Sequence, residues 1–134
     1  MKTQRNIALS IGLVLITFAA LACSKGGGGN ATPTAAFQTF YNSVKNKDAN
    51  GVKSIMKKKE LEEIEAEARK KNKSLDDFIK DEMITQVGRK IPDTMPETRN
   101  EKIEGEMATL EFKDGENWRT VRFAKEDGGW KINL

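Results

Sequence analysis

Hydrophobic positions recur with a helical period in the first half of the chain after residue 32. Thr32 is a residue type that caps helices, and Pro33 suits the first helical position. Four large apolar or aromatic residues then stand at i, i+3, i+4 and i+7, which is one face of a helix: Phe37, Phe40, Tyr41 and Val44. The pattern predicts a first amphipathic helix that ends at Lys45–Lys47.

Two further amphipathic helices are predicted before residue 88. Asp48 is placed to cap a short helix with Val52, Ile55 and Met56 on its buried face. Ser74 is placed to cap another, which ends at Gly88 and has an apolar inner face: Leu75, Phe78, Ile79, Met83 and Val87.

Between these two helices lies a charge-rich segment, Glu60–Lys71, which has strong helix propensity and ends at Asn72. Glu65/Arg69 and Glu67/Lys71 stand at the i,i+4 spacing that stabilises isolated helices. The apolar stripe of the segment is thin. We interpret it as a solvated surface helix, with a partner-binding helix over residues 60–72 as the alternative.

From Thr98 the hydrophobic period changes to two, which is typical of half-buried strands. Strands are predicted over residues 98–103, 106–113 and 117–124, and a last one follows the Asp127-Gly128-Gly129 turn. The inward positions of the last three strands are apolar: Ala108, Leu110, Phe112, Val121, Phe123, Trp130, Ile132 and Leu134. The order of elements predicts an α+β fold, with N-terminal helices packed on one face of a four-stranded antiparallel meander sheet.

The first 22 residues have the three parts of a secretory signal. Lys2 and Arg5 provide the positive start, and residues 7–21 form an apolar run shorter than the roughly 20 residues of a membrane-spanning helix. The end, Ala20-Leu21-Ala22-Cys23, resembles the lipobox of bacterial lipoprotein precursors, with alanine where that family usually has leucine. The alternative is an ordinary cleaved signal that leaves a free thiol at Cys23.

The lipobox resemblance implies that Cys23 is the lipid-attachment site and the first residue of the mature protein. The protein would then be exported and lipid-anchored to the bacterial cell membrane or outer membrane, with its domain in the periplasm or at the cell surface. Residues 24–31 contain four consecutive glycines and are interpreted as a flexible tether. The expected organisation is a signal peptide over residues 1–22, a lipidated cysteine and tether over 23–31, and one domain over 32–134.

Composition excludes several classes of function. The 134-residue chain has 23 Lys and Arg against 20 Asp and Glu, and two of the basic residues leave with the signal, so a basic nucleic-acid binder is not indicated. Histidine is absent from the whole sequence, which removes the commonest general base and metal ligand. The single cysteine lies at the anchor, so the domain has no internal disulfide. We predict no catalytic residue, no metal site and no cofactor.

A family resemblance rests on the helical segment Pro33–Met56, on residues 105–112 and on residues 121–132, which end in Asp-Gly-Gly-Trp-Lys-Ile. This arrangement resembles the nuclear-transport-factor-2-like superfamily, and within it the small bacterial lipoproteins. The resemblance implies a cone in which a curved sheet wraps a long helix around a pocket. Some members, such as ketosteroid isomerases, are enzymes with acidic and tyrosine residues inside the cone.

Four residues are candidates for lining a ligand site: Tyr41, Trp118, Arg119 and Trp130. Tyr41 is otherwise a core residue and Arg119 a strand-end residue that reaches solvent. Trp118, on the parity opposite to Val121, is either an exposed binding residue near Arg122 or a residue packed under a loop.

We expect a non-catalytic binding domain for a small apolar ligand, a lipid or an envelope protein, attached to the membrane through Cys23. One alternative is a cone-pocket enzyme, isomerase- or hydrolase-like, that acts on a hydrophobic small molecule through a buried acid. The other is an assembly role in which residues 60–72 dock a partner.

Overall fold

The computed structural model describes residues 30–133. The predicted signal peptide, Cys23, the predicted tether up to residue 29 and the predicted inward residue Leu134 lie outside this part of the chain. The described elements are, in order, α1 (Pro33–Lys45), α2 (Ala49–Ser54), α3 (Lys58–Lys70), α4 (Leu75–Phe78), a π-helical segment (Ile79–Ile84), α5 (Thr85–Gly88), β1 (Thr98–Glu104), β2 (Met107–Asp114), β3 (Asn117–Glu126) and β4 (Gly129–Ile132). Helices followed by a four-stranded antiparallel sheet confirm the predicted α+β class.

The first two helices begin at the predicted caps. The Thr32 hydroxyl accepts a hydrogen bond from the Ala35 amide at 3.0 Å, and the Asp48 carboxylate accepts one from the Asn50 amide at 3.0 Å. Each bond satisfies one of the amide groups that a helix N-terminus leaves without a partner. Local sequence therefore determines where both helices start.

The end of α2 differs from the expectation. The helix stops at Ser54, so the prediction that Ile55 and Met56 belong to it was wrong. Both side chains are nevertheless buried, as predicted. The Ile55 carbonyl accepts a hydrogen bond from the Ile132 amide at 2.8 Å, and Met56 forms a parallel bridge with Ile132. Pairing with the last strand satisfies backbone groups that a longer helix would have used internally.

The charge-rich segment forms α3, which begins two residues earlier than expected, at Lys58. Both carboxylate oxygens of Glu126, on β3, lie 3.3 Å from the Lys58 amide and place negative charge at the positive end of the helix dipole. Ala68 is the only buried residue of this helix, and Asn72, in the left-handed region at φ 54°, follows its end. These features support the interpretation of α3 as a solvated surface helix.

One helical stretch covers residues 75–88, but it is not α-helical throughout. The Ser74 hydroxyl caps it by accepting from the Asp77 amide at 3.1 Å, as expected. Its middle, Ile79–Ile84, is a π-helix, and the Thr85 hydroxyl donates to the Lys80 carbonyl at 2.8 Å. The wider π turn rotates the following residues, so Ile84 is buried although the α-helical period placed it off the apolar face.

The sheet has the order β1-β2-β3-β4, with consecutive strands antiparallel. The turn between β3 and β4 has positive φ angles at both Asp127 (51°) and Gly128 (78°), the conformation that a two-residue type I′ hairpin requires. The pairing of β1 with β2 is irregular between Arg99 and Lys102. Such an irregularity, together with charged side chains, protects an edge strand from pairing with other chains.

The opposite edge of the sheet, β4, is covered by the protein itself. The Trp130 amide donates to the Asn30 carbonyl at 2.8 Å, and the Ile132 amide donates to Ile55. The start of the described chain is therefore docked on the last strand.

The core lies between the helices and one face of the sheet. Five of the predicted inward positions are buried: Ala108, Leu110, Phe123, Trp130 and Ile132. Phe112 and Val121 are half-buried and pack against this cluster, so the predicted alternation is confirmed for β2, β3 and β4, whereas β1 is exposed from its second residue to its end. Among residues 30–133, no helix is long and apolar enough to cross a membrane.

Candidate ligand cleft

The structure gives Tyr41 a structural role. The side chain is buried, and its hydroxyl donates a hydrogen bond to the Pro92 carbonyl at 2.9 Å. The Lys45 ammonium lies 5.8 Å from the centroid of the tyrosine ring and 3.0 Å from the carboxylate of Asp93. These contacts hold the loop between α5 and β1 against α1.

Trp130 is also buried, within the main apolar cluster, and Lys125 lies 5.8 Å from its ring centroid. Arg119 is on the surface, with 67% of its side chain exposed, and its Nε contacts the Asp114 carboxylate at 2.6 Å. The arginine therefore forms an ion pair at the end of a hairpin, which agrees with the solvent-exposed interpretation.

Trp118 lies on the outer face of the sheet, and another side chain covers it. The guanidinium of Arg99 stands 3.8 Å from the centroid of the Trp118 ring, while its Nε donates to the Glu111 carboxylate at 2.7 Å. Hydrogen bonds from Arg99 and Asn100 lower the pKa of Glu111 from its ordinary value. Tyr41, Trp118, Arg119 and Trp130 thus belong to separate parts of the molecule and do not form one site.

The acidic residues lie at the surface. All 20 Asp and Glu residues fall within the described part of the chain, and none of them is buried. The described residues contain no group of three or more acidic or cysteine side chains placed to hold a metal ion. Every buried side-chain nitrogen or oxygen in residues 30–133 has a hydrogen-bond partner, so no orphaned polar group marks a reaction centre there.

A cleft of about 270 Å³ opens between the C-terminal ends of α1 and α5. Its floor is apolar and belongs to the core, since Val44 and Ile84 line the cleft and are almost fully buried. Gly88 completes the floor, and a Cβ atom at that position would lie 3.6 Å from the nearest methyl group of Val44. The cleft is therefore a surface opening that reaches the edge of the hydrophobic core.

The π-helical segment helps to build this cleft. The segment ends at Ile84, directly before the lining residue Thr85, whose hydroxyl closes the wide turn on the Lys80 carbonyl. A regular α-helix would direct the side chains after residue 79 differently. π turns inside α-helices occur frequently at functional sites, and here the irregular turn places an isoleucine on the cleft floor.

Three cations surround the cleft: Lys45, Lys47 and Arg89. Lys45 pairs with Asp93, whereas Lys47 and Arg89 form no ion pair with another described residue. Both of these side chains are exposed. The rim therefore carries positive charge that the described protein does not neutralise.

The cleft stands at the C-terminal ends of two helices, where the backbone carries partial negative charge. That charge favours cationic side chains, which is one physical reason for lysine and arginine at these positions. It also disfavours a bound anion. An anion in the cleft would therefore depend on the side-chain cations of the rim.

Two other grooves have no uncompensated charge of a single sign that would attract a charged ligand. A groove of about 310 Å³ beside α3 is lined by Glu60, Glu63 and Glu67, but each of these carboxylates already pairs with a lysine at 3.1–3.8 Å. A smaller groove of about 200 Å³ on the outer sheet face has side chains of both signs, among them Lys102 and Glu104.

Sequence reasoning missed the cleft residues Lys47 and Arg89. Both were visible in the sequence as charges that follow helix ends, but nothing local showed that the two helix ends meet. Comparison with known proteins adds no further assignment, since no protein-family model, no curated protein and no solved structure matches the chain.

Proposed function

We propose that this protein is a bacterial envelope lipoprotein, anchored to the membrane through acylated Cys23, whose domain binds a ligand without catalysing a reaction. The ligand classes are those of the sequence analysis: a small apolar molecule, a lipid or an envelope protein. The observation that carries the binding function is the cleft between α1 and α5, because its floor belongs to the core while its mouth is open to solvent. The proposal includes a nuclear-transport-factor-2-like cone for the domain, supported by the order of helices and strands.

The position of Asn30 supports the anchoring part of the proposal. Asn30 is docked on β4. A Cβ atom on Gly129 would lie 2.6 Å from the side-chain amide nitrogen, Nδ2, of Asn30. Six residues lie between Cys23 and Asn30 in the sequence, and the seven Cα-to-Cα steps from one to the other span at most about 25 Å. The acyl anchor would therefore hold this end of the domain close to the bilayer.

The cleft lies at the end of α1 away from the docked Asn30. Helix α1 starts three residues after Asn30 and has 13 residues, so its C-terminal end lies about 20 Å from its start. A ligand would therefore be bound at the end of α1 opposite to the anchor.

A non-catalytic role is supported by the chemistry of the described residues. The enzyme alternative requires an acid inside the cone whose pKa is raised by burial, whereas none of the 20 carboxylates is fully buried. The hydroxyl of the single tyrosine is used in a hydrogen bond to the Pro92 carbonyl. The sequence has no histidine to act as a general base.

The anchor is tested by Cys23→Ser, with Ser24→Ala as the control that keeps the cysteine. We expect the wild-type protein and the control to sediment with membranes and to carry the added mass of acyl chains in intact-protein mass spectrometry. The Cys23→Ser protein should be exported, lack that mass and leave the membrane fraction. A Cys23→Ser protein that stays on the membrane would show that the anchor lies elsewhere.

A further inference from the structure

We infer that the cleft between α1 and α5 takes an anionic amphiphile with a single short apolar chain. Its carboxylate or phosphate head would lie between Lys47 and Arg89, and its chain would lie on Val44 and Ile84. This inference rests on the proposed binding function and names the ligand class of the same cleft.

The charge of the head group follows from the rim. The cleft is lined by three cations and by no carboxylate. Asp93 neutralises Lys45 at 3.0 Å, which leaves Lys47 and Arg89 without an ionic partner among the described residues. Hydrogen bonds from lysine or arginine to carboxylate or phosphate are stronger than those between neutral groups. A neutral or cationic head group would leave this charge unmatched.

The apolar body follows from the floor. Val44 and Ile84 are part of the main core cluster, and the small edges of their side chains that reach the cleft, 3% and 2% of each residue, consist of carbon atoms. At about 270 Å³ the opening is slightly smaller than the roughly 300–1,000 Å³ of ordinary small-molecule pockets. The size favours one short chain over a sterol or a two-chain lipid.

Because the cleft lies at helix C-termini, anion binding there depends on the side chains of Lys47 and Arg89. Since the C-terminal ends of α1 and α5 repel negative charge, removing Lys47 and Arg89 would leave a cleft that disfavours an anion. Anion binding should therefore fall steeply when both cations are removed.

The experiment uses the full acylated chain in nanodiscs of zwitterionic lipid, with empty nanodiscs as the reference for probe partition. Octanoate and octyl phosphate are the anionic probes, and 1-octanol and octyltrimethylammonium share their chain without the negative charge. Acetate and inorganic phosphate supply the heads alone. Binding is followed by NMR through the backbone amides of Thr85 and Gly88, two residues that line the cleft.

We expect both octyl anions to shift these amides and to bind at least about tenfold more tightly than the other four probes. Lys47→Gln combined with Arg89→Gln should weaken octanoate about tenfold or more. The matched control, Lys58→Gln with Arg119→Gln, removes two exposed cations elsewhere and should leave octanoate binding unchanged. Gly88→Leu fills the cleft without changing its charge and should abolish binding of the octyl anions.

The contrary outcomes are separable. If octanol binds as tightly as octanoate and the double variant changes nothing, the cleft binds apolar ligands but the inferred anionic class is wrong. If acetate or phosphate binds as tightly as the octyl anions, the apolar chain has no part in recognition and the inference fails. If no probe shifts the two amides, the cleft is not a ligand site and the binding function proposed for it fails as well. The intact mass and membrane fractionation of the Cys23→Ser protein test the anchor independently of these three binding outcomes.

Discussion

Helices α1 and α3 have the same length, 13 residues, but they are stabilised in different ways. Six residues of α1 are buried, among them Phe37, Tyr41 and Val44, and its side chains pack on the sheet. In α3 only Ala68 is buried, and the helix carries ion pairs between residues three or four positions apart. The comparison shows that one helix depends on tertiary burial, while the other depends on intrinsic propensity and local charge pairing.

The same difference separates their surfaces. The carboxylates of the α3 groove pair with lysines of the same helix or of its N-cap, because a helix brings residues i and i+3 or i+4 together. The cations at the end of α1 meet those after α5 only through the fold. No ion pair joins Lys47 or Arg89 to another described residue, and for that reason we propose them as ligand contacts.

The largest expected effect lies in α1. Phe37→Ala removes a buried ring whose centroid lies 5.1 Å from that of Phe112, and we expect the free energy of unfolding to fall by about 3–5 kcal/mol. Ile64→Ala in the half-buried stripe of α3 is the matched control and should cost much less. Urea denaturation followed by circular dichroism measures both losses. Equal losses would contradict the distinction between the two helices.

A second prediction concerns the close approach of α2 to α1. A Cβ atom on Gly51 would lie 2.0 Å from the hydroxyl oxygen of Ser43, a buried residue of α1. Gly51→Ala should therefore destabilise the protein by about 1–3 kcal/mol. Gly88→Ala is the control, because the added methyl makes an ordinary van der Waals contact and the substitution replaces a helical glycine. Its free energy of unfolding should rise by up to about 1 kcal/mol. Calorimetric melting that shifts both variants in the same direction would show that the α1–α2 contact can relax.

A third, smaller effect depends on pH and involves the ion pair between α2 and α4, the helix on which α3 packs. Lys53 of α2 bonds to Asp76 at 2.6 Å, and this hydrogen bond lowers the pKa of Asp76 from its ordinary value. A depressed folded-state pKa contributes stability above the unfolded value, about 3.9, and that contribution is lost as the pH falls through the folded value. The difference in urea midpoint between wild type and Asp76→Asn should therefore shrink below about pH 4. A difference that stays constant from pH 7 to pH 3 would contradict the pairing.

The smallest effect is expected within α3. Arg69 contacts Glu65 at 2.6 Å on the exposed face of the helix, and such a pair contributes about 0.3 kcal/mol. Glu65→Gln should lower stability by that small amount at low ionic strength and by nothing measurable in 1 M salt. A double-mutant cycle with Arg69→Ala isolates the pair. A coupling that persists in high salt would mean that α3 depends on more than local charge.

The cleft was the part of the protein that sequence reasoning did not reach. The four candidate residues were aromatic or charged side chains chosen for their type, and the structure places two of them in the interior and two in contacts on the surface. The expected i,i+4 pair of Glu67 with Lys71 also differs, since Glu67 contacts Lys70 and Lys71 contacts Glu82. Long surface side chains choose among several partners that a linear spacing does not rank.

The sequence by itself determined the helix starts at Thr32, Asp48 and Ser74, the turn at Asp127-Gly128 and the inward alternation of β2, β3 and β4. Each of these depends on the chemistry or period of neighbouring residues, so the information is local. Only the tertiary structure decided that Ile55 and Met56 leave α2 to pair with β4, that residues 79–84 form a π-helix, and that Lys47 and Arg89 line one cleft. Those outcomes depend on backbone pairing and packing between residues far apart in the chain, whose energies no local pattern contains.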